Sequence, residues 1–153
     1  MRDGLAAGAA GALLSGIPSS LLTLARGDDL LASTRAVGRA LFPTNDDDFV
    51  LLPAGVVGHV AISLGWGVVL EAVLPRRRTV LAGALAGLAI AALDLRVVGR
   101  RLPAIRRLPL RRQVLDHVAY GAVVGAVLIR RPRLSRRRAA WPAGGRRGAG
   151  SRS

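Results

Sequence analysis

The stretch VLLPAGVVGHVAISLGWGVVLEAV, residues 50–73, decides the fold of this chain because Glu71 is its only full charge. As an α-helix it would extend about 36 Å, which is enough to cross a hydrocarbon core of about 30 Å with some tilt. Three further stretches are apolar in the same way, residues 4–25, 79–98 and 114–129. We therefore predict an all-α fold in which residues 1–129 form a transmembrane four-helix bundle.

The charge of the chain is segregated from its apolar residues. Apolar residues make up 51% of the sequence although the net charge is +14, and all 23 basic residues are arginine. A nucleic-acid-binding protein could carry such a charge, but aromatic residues are only 3% and no cysteine is present to build a zinc site. Arginines that flank apolar spans attract anionic lipid headgroups, so the bilayer is the predicted partner.

The first long loop, residues 26–49, predicts a short amphipathic helix in the membrane interface. Asp28 is the expected N-cap and Phe42 the expected end. Its apolar stripe consists of Leu30, Thr34, Val37 and Leu41. The three carboxylates of residues 46–48 lack the spacing of a calcium loop and are interpreted as a solvated turn.

The second long loop, residues 99–113, is predicted to be extended on the headgroups, and residues 130–153 form an arginine-rich tail that we expect to be disordered. Four spans place both termini on one side of the membrane. That side carries 13 arginines and the other side carries 10, which favours both termini inside. Abundant Arg, Ala, Gly and Leu are typical of a GC-rich bacterial genome, and we expect the bacterial cytoplasmic membrane.

Small residues recur at steps of four in the predicted spans, which places them on one ridge of each helix. Glycines spaced in this way let helix backbones approach closely, and this is how helices associate in a bilayer. The glycines predicted to pack are Gly55 and Gly67 in the second span, Gly83 and Gly87 in the third, and Gly121 and Gly125 in the fourth.

Four ionisable residues on these ridges, His59, Asp94, Asp116 and His117, form a candidate intramembrane cluster. Imidazoles and carboxylates in one cavity could relay protons or bind a divalent metal. The alternative is structural: His59 donates to a backbone carbonyl or Ser63, and Asp116 bonds locally to Tyr120. The structural alternative is the one we favour, and we assign no metal.

Two other carboxylates have arginines nearby in the sequence. Glu71 is expected to pair with the arginines of residues 76–78, and Asp94 with Arg96 and Arg100. Enzyme signatures such as GxSxG, HExxH, a phosphate loop or CxxC are absent from the sequence. We therefore predict no enzymatic activity and no cofactor.

The segments GHVAISLGWGVVLEAVLPRRR, GALAGLAIAALDLRVVGRRLPAIRRLP and DHVAYGAVVGAVL resemble small bacterial integral-membrane proteins of unknown function. In these proteins the last helix has the form Asp-His-x-x-aromatic-Gly-x-x-x-Gly. The matching residues are Asp116, His117, Tyr120, Gly121 and Gly125. The resemblance covers residues 4–129 and implies the four-helix fold but no particular activity.

Three function classes remain, and a membrane enzyme is the third and least favoured of them. The first is a structural or accessory membrane protein that acts through helix packing and its arginine-rich tail, as a homo-oligomer or with a membrane-protein partner. The second is a small transporter or proton- or cation-conducting oligomer that uses the His/Asp cluster.

Overall fold

The computed structural model describes residues 1–75, 77 and 79–129, with the backbone alone at Leu95 and Val98. Helix makes up 83% of the described residues, and no strand occurs among them. The all-α prediction is therefore confirmed. The predicted disordered tail, residues 130–153, lies outside the described residues.

Eight α-helices and one π-helical segment follow one another among the described residues. In chain order they are α1 (Arg2–Leu14), α2 (Ile17–Arg26), α3 (Ala32–Leu41), α4 (Asp48–Val73), α5 (Thr79–Leu93), the π segment (Asp94–Val98), α6 (Gly99–Arg101), α7 (Pro103–Arg106) and α8 (Leu110–Ile129).

Three helical stretches are long and apolar enough to cross a membrane: Arg2–Arg26, Asp48–Val73 and Leu110–Ile129. The fourth apolar helix, α5, has 15 residues, but the π segment and α6 continue it without a gap. Large apolar side chains cover the outside of these helices, with Leu13 80% and Val57 65% exposed. Apolar surface of this extent is characteristic of a face that meets lipid or a partner.

The first stretch is interrupted at Ser15 and Gly16, where α1 ends and α2 begins. Pro18 lies in the first turn of α2. A proline lacks the amide hydrogen that would bond to the carbonyl four residues earlier, and its ring collides with that carbonyl. Ser19 Oγ donates to Gly16 O at 3.2 Å and stabilises the restart.

Helix α8 begins at Leu110, four residues before the predicted span. The predicted span began after Arg112 and Gln113 because these residues are polar, but both residues belong to the helix. The predicted extended second loop is likewise wrong, because residues 99–101 and 103–106 form α6 and α7. Gln113 Nε2 donates to Leu108 O at 3.0 Å and joins the end of this loop to α8.

The helix of the first loop is shorter than predicted and begins differently. Asp28 does not cap it; Asp29 Oδ1 accepts from Leu31 N at 2.8 Å instead. Of the predicted apolar stripe, Thr34, Val37 and Leu41 face glycines of α4, whereas Leu30 is 45% exposed and precedes the helix. The face of α3 that packs on α4 carries Gly38, which lies against Leu51, and Thr34, which lies against Gly55.

Helices α5 and α8 pack with backbone against backbone along a seam of glycines. A Cβ atom added to Gly121 would lie 2.9 Å from Gly87 N, and one added to Gly125 would lie 2.9 Å from Val80 Cα. Real Cβ atoms do not approach backbone atoms so closely. The glycines are thus required by the short distance between the two helices, as the sequence predicted for Gly83, Gly87, Gly121 and Gly125.

Helix α4 forms two further seams. Near its start Gly55 lies against Thr34 of α3, and near its end Gly67 lies against Gly8 of α1. A Cβ atom added to Gly67 would be 2.6 Å from Gly8 Cα. Helices α1 and α8 also meet, where Gly11 faces the ring of Tyr120. These contacts connect α1, α4, α5 and α8 into one packed unit around Ala7, Leu70 and Val124.

We predict that Gly121→Leu will destabilise the chain by at least about 3 kcal/mol, because backbone atoms of α5 cannot yield space as side chains can. The measurement is thermal or denaturant unfolding of the purified protein. Gly65→Leu is the matched control, since a Cβ there meets no atom within 4 Å. Equal stability of the two variants would contradict the seam.

Candidate functional site

The structure brings together two of the four residues of the predicted cluster. His117 Nε2 lies 2.9 Å from Asp94 Oδ2, and His117 Nδ1 lies 2.7 Å from Gln113 O. Gln113 O can only accept, so Nδ1 carries a proton that it donates there. A second proton lies between Nε2 and the Asp94 carboxylate. The pair links α8 to the π segment.

His59 lies apart from this pair on the exposed side of α4. Its Nε2 lies 3.3 Å from Ala12 O, in the last turn of α1. Ala12 O can only accept, so Nε2 is the donor. This contact is a hydrogen bond between neighbouring helices, which is the structural role proposed above for His59.

Asp116 has a different environment from either histidine. Its Oδ1 atom is buried and has no hydrogen-bond partner among the described residues. The carboxyl group faces Ser19 at the break between α1 and α2. The expected local bond to Tyr120 is absent, because Tyr120 Oη donates to Ser63 O at 2.5 Å and thereby joins α8 to α4.

The four residues of the predicted cluster therefore do not form one site. His117 pairs with Asp94, His59 forms a hydrogen bond between helices, and Asp116 has a buried carboxyl oxygen without a partner among the described residues. Within the described part of the chain, no three His, Cys, Asp or Glu side chains come close enough to hold a metal ion. A separate imidazole and carboxylate can each hold or transfer a proton, but a continuous relay needs the groups in contact.

The two carboxylates expected to pair with nearby arginines each bind a group that is distant in sequence. Asp94 bonds to His117 and not to Arg96 or Arg100. Glu71 Oε2 accepts from Gly4 N at 2.8 Å and lies 2.8 Å from the α-amino nitrogen of Met1. Glu71 therefore connects the end of α4 to the start of α1. Its predicted pairing with residues 76 and 78 lies outside the described residues.

Asp46 and Asp47 are exposed, as predicted for a solvated turn, but the aspartates of residues 46–48 also bind and cap neighbouring helices. Arg35 binds Asp48 through two bonds, from Nε at 2.6 Å and from the terminal nitrogen at 2.7 Å. Asp29 binds the same guanidinium. The two carboxylates raise the pKa of Arg35 above its usual value, and the hydrogen bond with Asp48 has the larger effect. Asp47 caps α4 by accepting from Phe49 N. The cluster fixes α3 to the start of α4.

A second ionic contact joins the two long loops to the bundle. Arg112 at the start of α8 donates to Thr23 Oγ1 at 2.9 Å and forms an ion pair with Asp28. Its side chain is only 13% exposed, and its Nε is buried without a partner among the described residues. Residues 84 positions apart in sequence thus meet at one end of the bundle.

Helix α3 and the α6–α7 segment enclose a cleft at this end, which we call the loop cleft. Its volume is about 860 Å³. Its charged lining residues are Asp28, Asp29, Asp46, Arg35, Arg39, Arg101, Arg107 and Arg112. Sequence reasoning missed it, because each loop was interpreted alone. The only available indication was the opposite net charge of the two loops: residues 26–48 hold five aspartates against three arginines, and residues 94–113 hold seven arginines against one aspartate.

Comparison with known proteins does not identify the site: no protein-family model, curated protein or solved structure matches this chain.

The pairing of His117 with Asp94 predicts a coupling free energy of about 1 kcal/mol between His117→Gln and Asp94→Asn in a double-mutant cycle of unfolding. The control cycle combines His59→Gln with Asp94→Asn and should be additive to within about 0.5 kcal/mol. A coupling of equal size in both cycles would show that the three residues form one cluster, contrary to the geometry.

Proposed function

We propose that this chain is a multi-pass integral protein of the bacterial cytoplasmic membrane with a structural or accessory role and no enzymatic activity. In this proposal α1–α2, α4, α5 with its π extension, and α8 span the bilayer as a four-helix bundle. The resemblance to small four-helix bacterial membrane proteins favours the same architecture.

One observation carries this proposal: the interhelical contacts consist of glycine seams, and most polar groups between helices are occupied in bonds that hold helices together. Tyr120 joins α8 to α4, Glu71 joins α4 to α1, and His117 joins α8 to the π segment. These bonds contribute to the association of the helices. The arrangement is that of a scaffold whose exposed apolar sides and charged loops meet lipid or another membrane protein.

The orientation proposed is both termini inside. The loop cleft then lies on the outer face, where the aspartates of the first loop offset the arginines of the second. The offset is partial, because Arg112 is the only one of the seven arginines of residues 94–113 that forms an ion pair with an aspartate among the described residues. The orientation therefore rests on the larger number of arginines inside, 13 against 10.

Asp116 favours a second candidate function, a small transporter or proton- or cation-conducting oligomer. A buried carboxyl oxygen without a partner is costly in a bilayer, and it can be retained for binding a proton or cation. His117 is the adjacent residue in the chain, and His59 also interacts with this carboxylate. The remaining cluster residue, Asp94, reaches Asp116 only through His117.

Flux measurements distinguish the two functions. In liposomes with a pH or cation gradient, we expect no flux above that of empty liposomes for the wild-type protein, and no change with His59→Ala or Asp116→Ala. Both variants should insert and remain folded, whereas Gly121→Leu should disrupt assembly. Flux in the wild type that is lost in Asp116→Ala but kept in the conservative Asp116→Glu variant would establish the transporter instead.

The arginine-rich tail is proposed to recruit anionic lipid by charge. Deleting residues 130–153 removes nine arginines, and we expect most of the salt-sensitive enrichment of anionic lipid around the protein to disappear while the helix content of residues 1–129 is kept. Lipid enrichment in nanodiscs and circular dichroism measure the two effects. Loss of folding on truncation would contradict a purely electrostatic tail.

A further inference from the structure

We propose that the loop cleft is a binding site for one phosphate group of an amphiphilic anion, with Arg101 and Arg107 as the groups that bind it. The inference rests on the proposed membrane function, and it specifies which chemical group of a lipid the protein would bind. The phosphate could belong to a phospholipid headgroup or to a soluble phosphate compound, and the experiment below separates these sources.

Charge balance within the cleft singles out these two arginines. Each lining aspartate already has an arginine partner: Asp28 pairs with Arg112, Asp29 with Arg35 and Asp46 with Arg39. Arg35 holds Asp48 as well. Arg101 and Arg107 also line the cleft, but neither forms an ion pair with any residue in the described part of the chain.

Two unpaired guanidinium groups in one cleft form a site for a group with up to two negative charges. Guanidinium is planar and offers several N–H donors, so it binds phosphate oxygens in pairs. Arg112 lines the same cleft, but its guanidinium is already paired with Asp28.

The remaining wall of the cleft favours a lipid phosphate over a free one. Between the charged residues the lining is apolar: Ala32, Ala36, Ala40, Leu102, Leu108 and several prolines. An inorganic ion gains nothing from such a surface, whereas the glycerol and upper acyl carbons of a lipid would cover it. The cleft also lies where α2 ends and α4 and α8 begin, which is the level of the headgroups if these helices span the bilayer.

The test is calorimetric titration of the full-length protein, in neutral detergent, with dioctanoyl phosphatidylglycerol. Dioctanoylglycerol, which has the same acyl chains and no phosphate, controls for the acyl chains, and inorganic pyrophosphate is the soluble-phosphate probe. The test variant is Arg101→Gln with Arg107→Gln. The matched control is Arg106→Gln with Arg111→Gln, which removes the same charge from the same region at exposed residues that do not line the cleft.

We expect saturable binding of one phosphatidylglycerol per chain, weakened at least about tenfold in the Arg101/Arg107 variant and less than about threefold in the control. The arginine-rich tail is present in all three proteins and cancels in the comparison. Pyrophosphate that binds equally tightly and with the same variant dependence would assign the site to a soluble phosphate, and weaker pyrophosphate binding would assign it to a lipid.

Equal weakening in both double variants would overturn the proposal, since it would show diffuse attraction to the whole loop. Absence of saturable binding in the wild type would overturn it too. Carbonate extraction of membranes tests the proposed function separately. A chain that stays in the membrane but fails the titration contradicts only the cleft, whereas a chain released by carbonate contradicts the membrane function itself.

Discussion

The backbone contact between α5 and α8 is the constraint on which the rest of the structure depends. Gly83, Gly87, Gly121 and Gly125 allow the two helices to approach until carbonyl and Cα atoms touch. In a bilayer, where apolar side chains gain nothing by leaving lipid, this close van der Waals packing supplies the association free energy. It also determines where α7 and the start of α8 lie, and therefore where the loop cleft forms.

The bundle and its charged end are coupled through a few long-range polar contacts. Arg112 reaches Asp28 and Thr23, and Arg35 holds α3 to the start of α4. Among the residues that line the loop cleft, these pairs and the pair of Arg39 with Asp46 leave two guanidinium groups without an ion pair in the described part of the chain, those of Arg101 and Arg107. The opposite net charges of the two loops also favour their contact.

Much of the helical organisation was predictable from sequence, because long apolar runs and glycines at steps of four directly reflect helix length and helix contact. The tertiary polar contacts were not. An i+4 row turns about 40° around the helix at each step, so Gly55 faces α3, Gly67 faces α1, and His59 between them lies exposed at an edge. Asp28 was interpreted as a local cap, but its partner is 84 positions away in sequence, and no local pattern reveals such a pairing.

The meeting of the two long loops at one end of the bundle is the central claim, and chemical cross-linking tests it most directly. The chain has no cysteine, so Asp28→Cys with Arg112→Cys can be joined in membranes by a short bifunctional thiol reagent. Asp28→Cys with Arg77→Cys is the control, because Arg77 follows the far end of α4, about 39 Å away by helix rise. The account predicts intramolecular cross-linking of the 28/112 pair alone. Cross-linking of the 28/77 pair, or failure of the 28/112 pair in folded protein, would contradict it.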